Sequence, residues 1–110
     1  DREYLITPEL FESGKYRNFI IRKDAFDVFS GNPATEIILK NIKPETVVVY
    51  GVTTNVCVDA AVKGLNKKVK NVYVVNDAIK ELPNLPLPFG DWKKKGVQLI
   101  YLKELEKMLD

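Results

Sequence analysis

Thr46-Val47-Val48-Val49-Tyr50 is an unbroken run of β-branched and aromatic residues. Such a run fits a strand buried on both faces, as parallel strands are when crossover helices cover them. It feeds Gly51-Val52-Thr53-Thr54-Asn55, a short stretch of small and turn-compatible residues. A helix is expected from about Asn55 to Leu65, because Val58, Ala61, Val62 and Leu65 recur at helical spacing. Gly64 and Asn66 lie near its stop.

The rest of the chain repeats this alternation. The stretch up to Tyr16, with Pro8 and Gly14, reads as irregular. Asn18-Phe19-Ile20-Ile21-Arg22 reads as a short strand, and Lys23-Asp24-Ala25-Phe26-Asp27-Val28-Phe29 as its end running into a loop. Asn32-Pro33 is a helix start, with Asn as cap and Pro at the first helical position. That helix is expected to reach about Lys40, with Ile37, Ile38 and Leu39 on its apolar face and Pro44 beyond its end. Val72 to Val75 reads as a further strand, ending in Asn76-Asp77-Ala78. Leu82 to Phe89 carries three prolines and reads as a loop. A short helix at Asp91 to Lys95, a strand at Val97 to Leu102 and a helix at Glu104 to Leu109 complete the chain. Strands alternating with helices imply βαβ units and an α/β fold with a mostly parallel sheet. Ligands in such folds bind at the carboxyl ends of the strands. Lys23, the segment from Gly51 to Cys57, and Asp77 all fall at expected strand ends.

With 110 residues the chain suits one domain with a modest core. Apolar residues make up 45% and charged residues 29%, a globular balance. A net charge of +2 and short basic runs, Lys67-Lys68 and Lys93-Lys94-Lys95, give no footprint for nucleic acid. No stretch is long and apolar enough to cross a membrane, and a single cysteine makes no internal disulfide, so a cytoplasmic setting is expected. The chain has no histidine. Ser–His–Asp triads, Cys–His dyads and histidine metal sites are therefore excluded within it. No Gly-x-Gly-x-x-Gly or Walker sequence follows any strand, which disfavours a nucleotide binder.

Cys57, the sole cysteine, stands at the expected start of a helix. A thiol attacks carbonyls as the thiolate, which backbone N–H groups at a helix start favour. N–H groups of the same turn are suited to holding the oxyanion that forms. The residue alone leaves two readings open, a nucleophile or a small buried hydrophobe. Lys23 likewise reads as a surface lysine or as a cation held near a reacting centre.

Gly51-Val52-Thr53-Thr54-Asn55-Val56-Cys57-Val58 after an apolar strand resembles the nucleophile turn of the isochorismatase-like cysteine hydrolases, which include nicotinamidases, N-carbamoylsarcosine amidases and isochorismatases. Lys23-Asp24-Ala25-Phe26-Asp27-Val28-Phe29 resembles the family segment carrying a catalytic lysine. One helix and one strand separate the two, as in the family. Val74-Val75-Asn76-Asp77-Ala78 is a less specific third match. The resemblance implies a three-layer αβα fold with Rossmann-like topology. It implies that Cys57 attacks a carbonyl and forms a thioester, with Lys23 beside the sulfur. It places the oxyanion hole at the N–H groups of Thr53 and Cys57, and a cis peptide bond between Val52 and Thr53. Phe26 and Phe29 fall where the family often has pocket aromatics, with core packing as the other reading. Asp77 reads as structural, capping the turn after its strand.

The family's third catalytic residue, an aspartate at the end of the first strand, has no match here. Asp1 precedes no such motif, and Asp24 and Asp27 follow the lysine. The resemblance therefore implies that the chain is the C-terminal part of a longer domain, completed by an N-terminal half from the same gene or another chain. A divalent metal, zinc, would belong to that other part. The function implied is cleavage of the amide C–N bond of a small substrate, nicotinamidase-like or a related amidase, inactive in the isolated piece and carried out by a homo-oligomer when whole. Isochorismatase-type hydrolysis of a vinyl ether, or a non-catalytic subunit, are the alternatives. A sheet lacking a central strand exposes unpaired backbone groups. These 110 residues alone are therefore expected not to fold stably; a monomeric preparation that melts cooperatively would refute this.

Overall fold

The structure is a computed structural model that describes residues 19–109. The chain divides into two compact units, Asp1–Pro44 and Glu45–Asp110. In the first, a bend at residues 24–27 leads into α1 (Val28–Gly31) and then α2 (Ala34–Ile42). Asp27 caps α1 by accepting a hydrogen bond from the Phe29 N–H at 2.9 Å. Asn32 accepts from the Ala34 N–H at 2.9 Å, so it is the side chain that caps α2. The expected Asn-Pro start is thus present, with regular helix beginning one residue after Pro33. Lys43, in the left-handed region at φ 51°, ends the helix and donates its N–H to Leu39.

The second unit holds β1 (Thr46–Val52), a π-helical turn (Thr54–Val58), α3 (Asp59–Asn66), β2 (Asn71–Lys80), α4 (Phe89–Lys94), β3 (Gln98–Ile100) and α5 (Leu102–Leu109). The strands form one parallel sheet in the order β1-β2-β3. This is the α/β architecture expected. β2 is its central strand, and adjacent Val74 and Val75, which point to opposite faces, are both fully buried. The core gathers Val58 and Val62 from the helical side, Val72 and Val74 from β2, and Val69, Val97 and Trp92 around them.

Three expectations need correction. Residues 19–23 are not a strand; among the described residues they have no ladder partner, and apolar β-branched sequence without a partner does not make a strand. Asn18 lies outside the described residues. β2 runs on to Lys80, well past Val75. Between the pairs Val49↔Val74 and Gly51↔Ile79 the register shifts, so β2 advances further than β1 and the polar Asn76-Asp77 bulges out of the ladder. The last strand is shorter than expected and α5 starts earlier, because two side chains cap it. Asp77 accepts from the Leu102 N–H at 2.9 Å, and Glu104 accepts from the Tyr101 N–H at 3.2 Å. Asp77 is therefore structural, but it caps a helix rather than its own turn.

Trp92 is fully buried and packs edge-to-face on Phe89, with ring centroids 5.5 Å apart. Its indole N–H donates to Asp59 at 2.7 Å. Asp59 also pairs with Lys63 at 3.0 Å, and that hydrogen bond raises the Lys63 pKa. Removing the acceptor leaves a buried indole donor unpaired, at a cost of about 1–3 kcal/mol. Asp59→Ala should therefore lower the melting temperature of the intact protein clearly more than Asp59→Asn, which keeps an acceptor oxygen. Fluorescence of Trp92, the sole tryptophan, reports the transition. Equal losses from the two variants would contradict the assignment.

Candidate active site

β1 ends in Gly51 and Val52, and the turn that follows carries Cys57. Gly51 has φ 129°, a region that side chains rarely adopt, which is why glycine stands at this point of the strand. The Val52–Thr53 peptide bond is cis. Thr53 is extended, and its carbonyl accepts from the N–H groups of both Val56, at 3.1 Å, and Val58, at 3.0 Å. The second of these bonds spans five residues and opens the wide π-helical ring, a feature concentrated at functional sites. The sequence pattern gave helix here but no sign of this wider winding. Asp59 continues the pattern by donating its N–H to Thr54. Cys57 sits inside this turn and is half-buried. Thr54 is fully buried, and its hydroxyl has no hydrogen-bond partner among the described residues.

Asn55, which the sequence pattern did not single out, makes long-range polar contacts from the turn. Its amide nitrogen donates to the Leu82 carbonyl at 2.9 Å and to the Leu85 carbonyl at 3.4 Å. Its amide oxygen accepts from the Leu82 N–H at 3.0 Å. No local signal marks a partner so distant in sequence.

Lys23, Phe26 and Phe29 belong to the first unit, and Thr53 and Cys57 to the second. The Lys23 ammonium donates to the carbonyls of Ala25, at 3.0 Å, and Phe26, at 3.1 Å. Its loop is held from two sides. The Asn32 amide donates to the Arg22 carbonyl at 2.7 Å. Gly31 sits so close that a β-carbon there would lie 2.8 Å from the Lys23 β-carbon and 3.2 Å from the Ala25 nitrogen. Glycine at 31 is therefore what lets the lysine backbone pass. Phe26 is 70% exposed and is not packed into a core, while Phe29 is half-buried. A zinc ion needs a donor cluster, and the described residues do not assemble one. The chain has no histidine, and among the described residues no group of three or more His, Cys, Asp or Glu side chains is placed to hold a metal.

The isochorismatase domain model matches residues 5–85, which include both the Lys23 loop and the Cys57 turn. The chain belongs to the isochorismatase family. Solved structures agree with its fold. An isochorismatase-like hydrolase from Alkaliphilus metalliredigens superposes with a TM-score of 0.71 at 18% identity, over 87% of this chain and 54% of the other. The pyrazinamidase of Pyrococcus horikoshii, solved in complex with zinc, gives 0.60 at 25% identity, over 74% and 46%. The N-carbamoylsarcosine amidase from Thermoplasma acidophilum gives 0.59 at 22% identity, over 72% and 45%. The chain thus spans about half the length of these structures. No curated protein matches it. Membership makes it a chain of a hydrolase family, and no helix among the described residues is long and apolar enough to cross a membrane.

The tight fit at Gly31 gives a direct test. A methyl group there must displace backbone-linked atoms rather than a flexible side-chain tip. Overpacking of this kind costs about 1–3 kcal/mol. Gly31→Ala should lower the unfolding midpoint of the intact protein accordingly, and an unchanged midpoint would show that the loop absorbs the methyl.

Proposed function

We propose that this chain carries the nucleophile of a cysteine amidase acting on a small, compact substrate, nicotinamidase-like or closely related. The observation that carries the reading is the π-helical turn at the carboxyl end of β1, which holds the only thiol of the chain where α/β folds bind ligands. Membership of the hydrolase family and the amidases among its structural neighbours support the same choice.

In this mechanism the Cys57 thiolate attacks the substrate carbonyl and forms a C–S bond. The oxygen takes the negative charge and is held by the N–H groups of Thr53 and Cys57. Collapse of the adduct breaks the C–N bond, and the leaving nitrogen departs with a proton as ammonia or an amine. Water then adds to the thioester, and the acid leaves as the C–S bond breaks, restoring the thiol. Lys23 takes the role that the family resemblance gives it, a cation that favours the charged form of the thiol. The proton is handled by a carboxylate supplied by an N-terminal portion of the domain, since Asp27 is engaged in capping α1. Phe26 and Phe29 are the aromatics that the family resemblance assigns to the planar part of the substrate.

Two measurements on the intact protein test this. Cys57 should react with iodoacetamide faster than a model thiol near neutral pH, in the native state. Release of ammonia from nicotinamide should fall by roughly three orders of magnitude or more in Cys57→Ala. Activity unchanged in that variant would end the nucleophile assignment, and a thiol that reacts only on unfolding would favour a non-catalytic subunit.

A further inference from the structure

The loop at residues 81–88 contains Pro83, Pro86 and Pro88, none of which has an N–H to donate. It has few ways to hold its own shape. Its one tight feature is a turn from Leu82 to Leu85, with Pro83 second and Asn84 third at φ 70°. That is the arrangement a type II turn requires, with proline fixing the second position and asparagine tolerating the left-handed third. Asn55 binds both ends of this turn. Its amide closes a two-point ring on the Leu82 backbone, donating to the carbonyl and accepting from the N–H, and the same nitrogen reaches the Leu85 carbonyl.

The sheet places this loop beside the Cys57 turn independently of that clamp. Val52 and Lys80 are register partners in the parallel ladder. Thr53 and Glu81 therefore leave the same edge of the sheet side by side, and the Cys57 turn and the proline loop grow from that edge together. The loop presents Leu82, Leu85 and Leu87 at 46%, 45% and 54% exposure, an apolar surface held in a fixed position.

We propose that Asn55 is a positioning residue whose side-chain amide locks the 81–88 loop against the Cys57 turn and so fixes one apolar wall of the substrate site. The proposal rests on the amidase reading for the identity of the site. The clamp itself is a separate physical claim. Asn55 touches neither substrate nor the reacting atoms in this scheme; it acts through Leu82 and Leu85.

The clamp is tested first without any substrate. Hydrogen exchange of the Leu82 amide in the intact protein should speed up by about tenfold or more in Asn55→Ala, because its acceptor is gone. Asn55→Asp supplies a sharper variant. Its carboxylate has no donor and turns a negative oxygen toward the Leu82 and Leu85 carbonyls, so the loop is repelled and the Leu82 N–H loses its acceptor. The protonated acid restores a donor and an acceptor in the same places. Protection of Leu82, measured relative to the unsubstituted protein at the same pH, should be lost at neutral pH and recovered below about pH 4. Protection unchanged in Asn55→Ala, or no recovery in Asn55→Asp on acidification, would overturn the clamp.

The wall is tested by access to the thiol and by kinetics. N-ethylmaleimide should gain on iodoacetamide at Cys57 by about threefold or more when the clamp is released, because the larger reagent is the one a fixed wall excludes. With nicotinamide as substrate, Asn55→Ala should raise KM several-fold more than it lowers kcat. A freed Leu82 amide with unchanged reagent selectivity would reduce Asn55 to a purely structural residue and overturn the positioning role. Absence of nicotinamide turnover in the unsubstituted protein would count against the amidase reading alone, since exchange and alkylation still decide the clamp.

Discussion

The parallel pairing of β1 with β2 is the constraint on which the second unit depends. It sets Val47 and Val49 level with Val72 and Val74, so that a short run of valines closes the core against α3 and Trp92. It also fixes which residues end together at the carboxyl edge. Because Val52 stands opposite Lys80, two loops far apart in sequence leave the sheet as neighbours. A one-residue slip would turn the core valines outward and separate those loops. Buried valines on both faces of β2 resist that slip, so hydrophobic packing determines the geometry of a polar site.

Within that frame the turn after β1 is over-determined by backbone chemistry. The Thr53 carbonyl takes two N–H donors, from Val56 and Val58, and Asn55 takes both backbone groups of Leu82. A single long-range bond would let the loop pivot; a donor and an acceptor on one amide plane fix its direction as well. The exception is the Thr54 hydroxyl, buried without a partner among the described residues.

Legibility from sequence followed the range of the interactions. The strand at 46–50, the Asn32 cap and the helix after Cys57 rest on neighbours within a few residues, and all three are present. The segment at 19–23 has strand composition but no ladder among the described residues, since pairing is decided by residues elsewhere. The extension of β2 to Lys80 was hidden for the same reason, because Asn76 and Asp77 look like a strand end until the bulge is seen. At the candidate site the same division holds. The Gly51–Cys57 pattern is local and could be read. The clamp between Asn55 and the proline loop joins positions 27 apart, and no spacing rule reaches it.

Gly31 shows how a residue with no chemistry of its own shapes a loop. It lies eight positions after Lys23, and the two meet because the bend at 24–27 folds the chain back on α1. The return is closed by the Asn32 amide on the Arg22 carbonyl and by the Lys23 ammonium on the carbonyls of Ala25 and Phe26. Those bonds draw the backbone at 31 within contact of the Lys23 β-carbon, a distance that only a hydrogen at the α-carbon permits. A flexible lysine is thus converted into one with a fixed root, and the entropy of its first torsions is lost on folding. Asn55 does for the second unit what Asn32 does for the first. Each uses a side-chain amide to bind backbone groups that the sheet and helices leave over, so the same chemistry organises the Cys57 turn and the Lys23 loop.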